Sequence, residues 1–323
     1  MPKAIVVDQP GGPEALRWTE VEVAAPGPGQ VRLRQEAVGV NYIDVYHRNG
    51  YYPQPLPFIR GLEGAGVVEA VGPGVTALQV GQRVAYAGAA GAYAELRVAP
   101  ADRMIALPDA ISCEQGAAMM LQGMTAQVLL KQVYAVQPGQ TILVHAAAGG
   151  TGLLLCQWAK ALGATVIGTV SSEEKAALAH SHGCDHPILY TRQDFVAEVL
   201  RITGGQKLPV VYDSVGKDTF LRSLDCLQPR GTMVSFGQSS GAVEPIAPIV
   251  LSQKGSLYLT RPFLFTYIAS RAELESCAAD LLAAVQDGTL RINVNHRYPL
   301  ADAARAHTDL EARRTTGSTV LLA

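Results

Sequence analysis

The chain has 323 residues, of which 48% are hydrophobic and 17% are charged, and its formal net charge is −2. This composition is typical of a globular protein rather than a disordered one, and the length predicts two domains. The nearly balanced charge gives no electrostatic reason to expect a nucleic acid or a membrane surface as partner. Five cysteines without a Cys-x-x-Cys pair argue against a disulfide framework and against a structural zinc site.

The N-terminal third is predicted to be rich in β-strands. Met1 and Pro2 lead directly into a strand-like run, without the apolar core of a signal peptide, and no apolar run approaches the ~20 residues that a membrane helix needs. We therefore expect a cytoplasmic protein. The strand-like runs are separated by Gly and Pro, and they read "KAIVVD", "QVRLRQEAVGV", "GAGVVEAVG", "QRVAYAG" and "YAELRVA".

From Thr141 onward the pattern changes to strands that alternate with helices. The predicted strands cover residues 141–146, 165–170, 187–190, 209–214, 232–236 and 256–261, and helices at 173–182, 195–203 and 219–227 lie between them. Six strands in this alternation predict an α/β fold with a doubly wound parallel sheet. After Phe265 come a long helix, a strand, a second helix and a final strand, "STVLLA". These strands are too few for a domain, so we expect this segment to return to the first one.

A glycine-rich loop follows the first strand of this alternation. The strict pattern G-x-G-x-x-G is absent, and Ala146-x-x-Gly149-x-x-Gly152 stands in its place. Gly149 allows the backbone to approach a phosphate, and Gly152 allows the helix to pack closely on the strand. Because the loop lies between a strand and a helix, it predicts a dinucleotide site with the pyrophosphate at the helix N-terminus.

The end of the next strand predicts which dinucleotide is bound. A site for NAD usually carries Asp or Glu about 20 residues after the glycines, where it binds the ribose 2′-hydroxyl. The strand end here is Thr169-Val170-Ser171-Ser172, without a carboxylate, and Lys175 follows. A 2′-phosphate finds hydroxyl donors and a cation there. The segment therefore favours NADPH over NADH, although Glu173 and Glu174 dilute the positive charge.

Several motifs together resemble the NADPH:quinone oxidoreductases, which are zeta-crystallin-like, zinc-free members of the medium-chain dehydrogenase/reductase superfamily. The motifs are "GVNYIDVYHRNGYYP", "GLEGAGVVEAVGPGV", "VHAAAGGTG", "VVYDSVG" and "MVSFGQSSG". The resemblance implies a GroES-like catalytic domain from residues 1–122 and 266–323, and an inserted Rossmann domain at 123–265. It also implies a homodimer and an active site in the cleft between the domains.

The chain departs from the zinc-dependent relatives at two ligand positions. It has Asn41 where they carry Cys, and Gly61-Leu62-Glu63 where they carry Gly-His-Glu. Leu62 cannot bind zinc, and an amide is a poor ligand beside a thiolate. We therefore expect no metal, and we interpret Glu63 as a structural acid.

The resemblance also implies roles for individual residues. Asn41, Tyr42 and Asp44 face the nicotinamide and its ribose, and Asn41, Tyr46 and Tyr52 form the catalytic, acceptor-binding side; for Tyr52, ordinary packing explains the residue equally well. Arg314 is preferred over Arg313 for the 2′-phosphate. The remaining cofactor contacts implied by the resemblance are Val128, Gly149, Gly150, Thr151, Gly152, Ser171, Lys175, Tyr190, Val215, Gly237, Gln238, Ser239, Ser240, Phe263, Leu264 and Phe265.

Three functions remain open at this point. The first is NADPH-dependent reduction of quinones by hydride transfer without a metal, with the proton taken from solvent or from a weak donor. The second is reduction of enones or alkenals on the same scaffold. The third is a non-catalytic role, as a crystallin or as an RNA-binding protein, against which the absence of an aromatic-basic motif weighs. The apolar run "GSLYLT", expected at the edge of the sheet, predicts a homodimer formed by sheet extension.

Overall fold

A computed structural model describes all 323 residues, and they divide into two compact units. The first unit contains Met1–Met124, Ile268–Gln286 and Ile292–Ala323. The second unit contains Thr125–Tyr267 and Asp287–Arg291. The chain therefore enters the second unit twice, the second time only for Asp287–Arg291, and it ends in the first unit.

The N-terminal part of the first unit consists mainly of strands. Two short 3₁₀ helices, Pro13–Ala15 and Ala101–Arg103, interrupt it. Its strands and helices are β1 (Lys3–Val7), β2 (Arg17–Glu20), β3 (Gln30–Val40), α1 (Tyr42–Arg48), β4 (Phe58–Ile59), β5 (Glu63–Val71), β6 (Arg83–Ala87), β7 (Leu96–Pro100), β8 (Ile105–Ala106) and α2 (Cys113–Gln127).

The second unit follows with strands and helices in alternation. A π-helical segment, Val128–Val133, continues α2, and a 3₁₀ helix at Leu224–Cys226 precedes the fifth strand. The elements are β9 (Thr141–Val144), α3 (Gly150–Ala161), β10 (Thr165–Val170), α4 (Glu173–Ser181), β11 (His186–Leu189), α5 (Phe195–Ile202), β12 (Leu208–Asp213), α6 (Phe220–Ser223), β13 (Leu227–Ser235), α7 (Ile249–Gln253), β14 (Tyr258–Thr260) and α8 (Leu264–Tyr267).

The C-terminal segment adds four elements and a 3₁₀ helix at Leu300–Asp302. These elements are α9 (Arg271–Gln286), β15 (Val294–Pro299), α10 (Ala303–Glu311) and β16 (Ser318–Leu322). Strand β16 pairs antiparallel with β3 and parallel with β15. Through these pairs the C-terminal segment adds two strands to the sheet that contains β3.

The first unit is built on a seven-stranded sheet to which the N-terminal part contributes β3, β5, β6, β7 and β8 and the C-terminal segment contributes β15 and β16. The strand order is β15-β16-β3-β5-β6-β8, and β7 pairs with β3 beside this path. A smaller three-stranded sheet has the order β2-β1-β4. Leu33 of β3, Tyr86 of β6 and Leu321 of β16 are buried in one core, which joins the N-terminal and C-terminal segments.

The second unit is built on a six-stranded sheet with the order β11-β10-β9-β12-β13-β14, in which every pair is parallel. The predicted doubly wound parallel sheet is therefore confirmed. The strand order reverses between β9 and β12, and ligands of such sheets bind at the carboxyl ends of the strands at this switch point. None of the helices in the chain combines the length and the hydropathy needed to span a lipid bilayer.

Two predicted elements of the second unit differ most from the structure. The strand predicted at 256–261 is reduced to β14, because Ser256 has a positive φ of 56° and Pro262 follows. The helix predicted at 219–227 divides into α6 and the 3₁₀ helix, because strand β13 begins directly at Leu227. Neither difference changes the topology.

Candidate active site

Asn41 lies at the junction between the last residue of β3 and helix α1. Its backbone N–H donates to Asp44 Oδ2 at 2.9 Å, which closes the first turn of the helix. Its side-chain Nδ2 lies 2.6 Å from Glu63 Oε2, and its Oδ1 lies 3.0 Å from Gln122 Nε2. Asn41 is 5% exposed, so its amide is held by buried partners at both ends.

Asp44 is fully buried, and its carboxylate has three donors inside the first unit. They are the backbone N–H of Asn41, the hydroxyl of Tyr93 at 3.1 Å and Arg60 Nη2 at 3.3 Å. Burial raises the pKa of Asp44, and the Arg60 guanidinium opposes this shift. All three donors to Asp44 are side-chain or backbone groups of the first unit. The predicted contact of Asp44 with the nicotinamide ribose stays a prediction.

A buried chain of hydrogen bonds connects Asp44 to helix α10. Arg48 Nη1 lies 3.0 Å from His307 Nδ1, and because arginine can only donate, Nδ1 is the acceptor. Burial lowers the pKa of His307 well below its usual value, so the ring is neutral and carries its proton on Nε2. Nε2 then donates to Tyr93 Oη at 3.1 Å, and the Tyr93 hydroxyl donates to Asp44. The tautomer of His307 is therefore fixed by its two partners.

Glu63, at the start of β5, is fully buried and lies beside Asn41. Leu121 N in helix α2 donates to its Oε1 at 2.7 Å. Burial raises the pKa of the Glu63 carboxyl to about 8, although the bonds from Asn41 and Leu121 lower it. A Cβ on Gly39 would lie 2.3 Å from Glu63 Oε2, so strand β3 needs a glycine there.

Four tyrosines of helix α1 and the following turn form one aromatic group, which we call the tyrosine cluster (Tyr42, Tyr46, Tyr51 and Tyr52). Tyr46 is at its centre, with ring centroids 5.4 Å from both Tyr42 and Tyr52. The backbone N–H of Tyr52 donates to the Tyr46 carbonyl at 3.0 Å, which folds the turn back onto the helix. The structure thus places Tyr46 and Tyr52, two of the residues predicted as catalytic, in ring contact, and Asn41 is the N-cap of the same helix.

In the second unit, the glycine loop has the geometry that a phosphate site requires. Ala146 adopts a positive φ of 53°, and Gly149 is the N-cap of helix α3. A Cβ on Gly152 would lie 2.2 Å from the Ala146 carbonyl oxygen, so only glycine allows the loop to pass this close to the helix. The first amides of α3, including those of Gly150 and Thr151, have no acceptor within the helix and are suited to an anion.

The carboxyl end of β10 carries serines instead of an acid. Val170 is 2% exposed, and Ser171 is half-buried. Ser172 is the N-cap of α4, and its Oγ accepts from Lys175 N at 3.3 Å, so this serine serves the helix. Glu173 forms an ion pair with Arg192 at 3.2 Å, which reduces the effect of its charge.

The turns after β12 and β13 are bonded to each other. Ser240 N donates to the Val215 carbonyl at 2.9 Å, and Ser239 N donates to the Ser214 carbonyl at 3.1 Å. A Cβ on Gly237 would lie 2.6 Å from the same Ser214 oxygen. The predicted contacts Val215 and 237–240, which include Gln238, therefore lie together at the carboxyl edge of the sheet.

The other predicted cofactor residues lie in different surroundings. Val128 is buried in the π-helical segment, whereas Tyr190 is 40% exposed and Phe263 is 51% exposed. Phe263 packs edge-to-face on Phe265, with Leu264 between them in the chain. In the first unit, Arg313 and Arg314 follow α10 and are both exposed. Arg314 pairs with Asp309 at 3.0 Å, and Arg313 has a positive φ of 58°.

Metal-binding side chains are not gathered anywhere in the structure: no group of three or more His, Cys, Asp or Glu residues has the arrangement to hold a metal ion. Asn41 and Leu62 stand at the positions predicted to have lost their zinc ligands, and Leu62 is 6% exposed in the apolar interior. That the reaction proceeds without a metal stays a prediction.

Comparison with known proteins establishes the family. The model "Alcohol dehydrogenase GroES-like domain" matches residues 27–109, and the model "Zinc-binding dehydrogenase" matches residues 150–282. A quinone oxidoreductase of Pseudomonas aeruginosa is 55% identical over the whole of both chains. The chain belongs to the quinone oxidoreductase family. Within the medium-chain dehydrogenase/reductase superfamily, this confirms the resemblance that the motifs indicated.

Two further members of the family are informative. The crystal structure of Escherichia coli quinone oxidoreductase complexed with NADPH has a TM-score of 0.98 and 47% identity, covering 99% of this chain and 100% of that chain. A 2-haloacrylate reductase of Burkholderia sp. is 48% identical and covers 100% of this chain and 99% of its own. One scaffold thus serves proteins named for quinones and for 2-haloacrylate.

The buried partners of Asn41 and Asp44 were not found from the sequence. Gln122 is a polar residue in the apolar helix run "MMLQGM", and this interruption is a signal that points to a buried hydrogen bond. Tyr93, His307 and Ser318 carry no such pattern, because their partners lie far away in the chain. Only the folded structure shows which residues these side chains contact.

Proposed function

We propose that the protein reduces quinones with NADPH. The observation that carries this proposal is the carboxyl end of β10, where Ser171, Ser172 and Lys175 stand without a strand-end carboxylate. A carboxylate there would repel a 2′-phosphate, whereas hydroxyl groups and an ammonium group bind one. The NADPH complex of the Escherichia coli relative supports the same cofactor.

The chain's residues fit this cofactor. Gly149 and Gly152 leave room at the start of α3, where the helix amides bind the pyrophosphate. Ser171 and Lys175, with Arg314 or Arg313, bind the 2′-phosphate in this proposal. The other proposed contacts are Asn41, Tyr42, Asp44, Val128, Gly150, Thr151, Tyr190, Val215, Gly237, Gln238, Ser239, Ser240, Phe263, Leu264 and Phe265.

Bound NADPH supplies the hydride, and the protein binds and orients the acceptor. In this proposal the rings of Tyr46 and Tyr52 offer aromatic faces to the quinone, and Asn41 donates a hydrogen bond to an acceptor oxygen on which negative charge develops. A quinone is electron-poor enough to accept hydride without a Lewis acid. In this proposal a hydrogen bond from the Asn41 amide is therefore enough to stabilise the negative charge on the acceptor, at a position where zinc-dependent relatives carry cysteine.

A second candidate is the reduction of an activated alkene. The 2-haloacrylate reductase of Burkholderia sp., at 48% identity over the full length, favours it. Both reactions deliver hydride to an electron-poor acceptor, and they differ in the shape and charge of that acceptor. The same residues would carry out either reaction.

We further propose a cytoplasmic homodimer in which residues 1–122 and 266–323 form the catalytic domain and residues 123–265 form the NADPH domain. Strand β14 lies at the edge of the sheet, with Tyr258 63% exposed and Leu259 40% exposed. An exposed apolar edge strand favours pairing with a second copy of itself. Pairing of two β14 strands across a two-fold axis would extend the sheet.

A steady-state screen tests the proposed function. Purified protein is assayed with NADPH against small ortho- and para-quinones, and in parallel against enones and a 2-haloacrylate. We expect the highest kcat/KM with a quinone. A higher kcat/KM with an alkene would favour the second candidate, and no oxidation of NADPH with any acceptor would support a non-catalytic role.

A further inference from the structure

The carboxamide of Asn41 belongs to a row of buried polar side chains, which we call the amide row (Glu63, Asn41, Gln122 and Ser318). Glu63 Oε2 lies 2.6 Å from Asn41 Nδ2, and Asn41 Oδ1 lies 3.0 Å from Gln122 Nε2. Ser318 Oγ lies 2.8 Å from Gln122 Oε1 and 3.0 Å from the Ala118 carbonyl oxygen. All four side chains are less than a tenth exposed, so solvent does not complete their hydrogen bonds.

With Asn41 Nδ2 directed to Glu63 and Gln122 Nε2 directed to Asn41, the protons of the amide row do not match its acceptors. The Ser318 hydroxyl faces two acceptors, Gln122 Oε1 and the Ala118 carbonyl, and it has one proton to donate. An ionised Glu63 can only accept hydrogen bonds, so Asn41 must direct Nδ2 towards Glu63, and Gln122 must direct Nε2 towards Asn41. The mismatch at Ser318 then persists. One of the two oxygen–oxygen contacts of Ser318, at 2.8 Å to Gln122 Oε1 and 3.0 Å to the Ala118 carbonyl, then has no proton between its atoms.

A half-turn of both amides removes the mismatch without moving the heavy atoms appreciably, because the nitrogen and oxygen of an amide exchange places. Ser318 Oγ then accepts from Gln122 Nε2 and donates to the Ala118 carbonyl. Gln122 Oε1 accepts from Asn41 Nδ2. Asn41 Oδ1 now faces Glu63 Oε2, and two facing oxygens bond only if the carboxyl group carries a proton.

The surroundings of Glu63 favour this proton. Burial raises the pKa of Glu63 to about 8. The charged and titratable groups around it are Asp44 of α1, Tyr93 after β6, and Arg60, which pairs with Asp44. Gly39 of strand β3 lies against this carboxyl group, where a Cβ would be 2.3 Å from Oε2. Arg60 thus forms its ion pair with Asp44, and no ion pair is formed by Glu63.

We propose that Glu63 is a positioning residue for hydride transfer: its protonated carboxyl group donates to Asn41 Oδ1 and fixes the Asn41 amide with Nδ2 towards Gln122. One hydrogen of Nδ2 is used by Gln122, and the second is directed to the acceptor that Asn41 binds in the proposed function, on which this inference rests. Loss of the Glu63 proton reverses the row and moves that donor to the other side of the amide.

Infrared spectroscopy tests the proton without any assay of activity. A protonated carboxylic acid has a carbonyl band apart from those of carboxylate and amide groups. We expect this band in the wild type about one unit below a pH of 8, its loss about one unit above, and its absence from E63Q. E36Q, which removes an exposed carboxylate, is the matched control and should keep the band.

The kinetic test uses NADPH and a small quinone. E63Q cannot ionise but keeps a neutral donor, so we expect its kcat/KM to stay within about twofold of wild type at neutral pH and not to fall above pH 8. The wild type should fall there. E63A removes the donor and should lose roughly tenfold at every pH.

Two results would overturn the inference. The first is a wild-type spectrum that contains no acid band beyond those of E63Q. The second is a folded E63Q variant whose kcat/KM is as low as that of E63A. If E63Q does not fold, the pH titration of the wild-type band decides alone, and an unchanged spectrum contradicts the proton on Glu63. Failure of the proposed function is a separate outcome, because a protein without quinone activity still gives the infrared result.

Discussion

At the scale of single residues, Lys175 is the sharpest test of the cofactor assignment. It lies in the first turn of α4, after Ser171 and the N-cap Ser172. If its ammonium binds the 2′-phosphate, Lys175→Ala should raise the KM for NADPH roughly tenfold, because a charge-assisted bond contributes about 1.5 kcal/mol or more. The KM for NADH should barely change, since NADH lacks the phosphate, and kcat should change little.

The control for Lys175 is Lys254→Ala, whose ammonium pairs with Asp225 and takes no part in the proposed site. It should leave both Michaelis constants unchanged. Steady-state kinetics with both cofactors measure these effects. Equal losses with NADH and NADPH in Lys175→Ala would mean that the adenosine end of the cofactor lies elsewhere.

Ser171 is the position at which the cofactor preference should be reversible. It is half-buried, whereas its neighbour Val170 is 2% exposed and has no room for a solvated charge. Ser171→Asp places a carboxylate where NAD-binding sheets carry one, so it should repel the 2′-phosphate and accept from a 2′-hydroxyl. We expect a roughly tenfold loss of kcat/KM with NADPH and a roughly tenfold gain with NADH. The ratio of kcat/KM for NADPH over NADH should therefore fall by roughly a hundredfold. A ratio unchanged from wild type would contradict this placement.

At the scale of elements, Arg48 holds helix α1 to helix α10. Its guanidinium bonds Glu311 at 2.9 and 2.8 Å and His307 at 3.0 Å, and its side chain is 2% exposed. Arg48→Leu leaves these acceptors without their donor, so we expect a loss of about 3 kcal/mol in the free energy of unfolding. Arg17→Leu removes an exposed pair with Asp8 and should cost less than about 1 kcal/mol.

Urea denaturation measures both losses. Equal and small losses in the two variants would show that the buried network around Arg48 adds nothing beyond a surface ion pair. A large loss confined to Arg48→Leu would show that α10, and with it Arg313 and Arg314, is anchored through this side chain.

The elements differ in how far the sequence predicted them. The alternation from Thr141 predicted the six parallel strands because each strand is a short apolar run bounded by turn residues. The β10 boundaries, Thr165–Val170, were predicted as the structure has them. The amide row was not predictable, because Ser318 and Gln122 are 196 residues apart and only the pairing of β16 with β3 brings them together.

At the scale of the whole molecule, pH should act on stability through groups with opposite pKa shifts, and Glu63 and His47 represent the two directions. Burial raises the pKa of Glu63 from 4.5 to about 8, so the folded chain binds this proton more tightly, and stability falls as the pH rises through that range. Burial lowers the pKa of His47 from 6.5 to about 4, so stability falls as the pH drops through that range. Between pH 6.5 and about 8 the Glu63 effect remains.

Within that pH window, the free energy of unfolding of the wild type should fall by up to about 1.4 kcal/mol per pH unit. E63Q carries no titratable proton at this position and should be nearly flat there. Urea denaturation at a series of pH values measures the difference. Identical slopes in the two proteins would show that Glu63 is ionised throughout.

Assembly is the second property of the whole molecule. Leu259→Lys places a charge on the exposed edge strand β14, where lysine blocks pairing, so we expect it to shift the dimer to monomer at micromolar concentration. Leu221→Lys, at a residue 51% exposed in α6, is the matched control and should stay dimeric. Light scattering that reports a monomer for the wild type would contradict the proposed dimer.

In the proposed function, this member of the quinone oxidoreductase family reduces quinones with NADPH and selects that cofactor through the end of β10. The most direct test is kcat/KM of the wild type for NADPH and for NADH, with one small para-quinone in excess. One charge-assisted phosphate contact predicts a preference for NADPH of at least about tenfold. Equal kcat/KM for the two cofactors, or a preference for NADH, would contradict the proposed selection of NADPH.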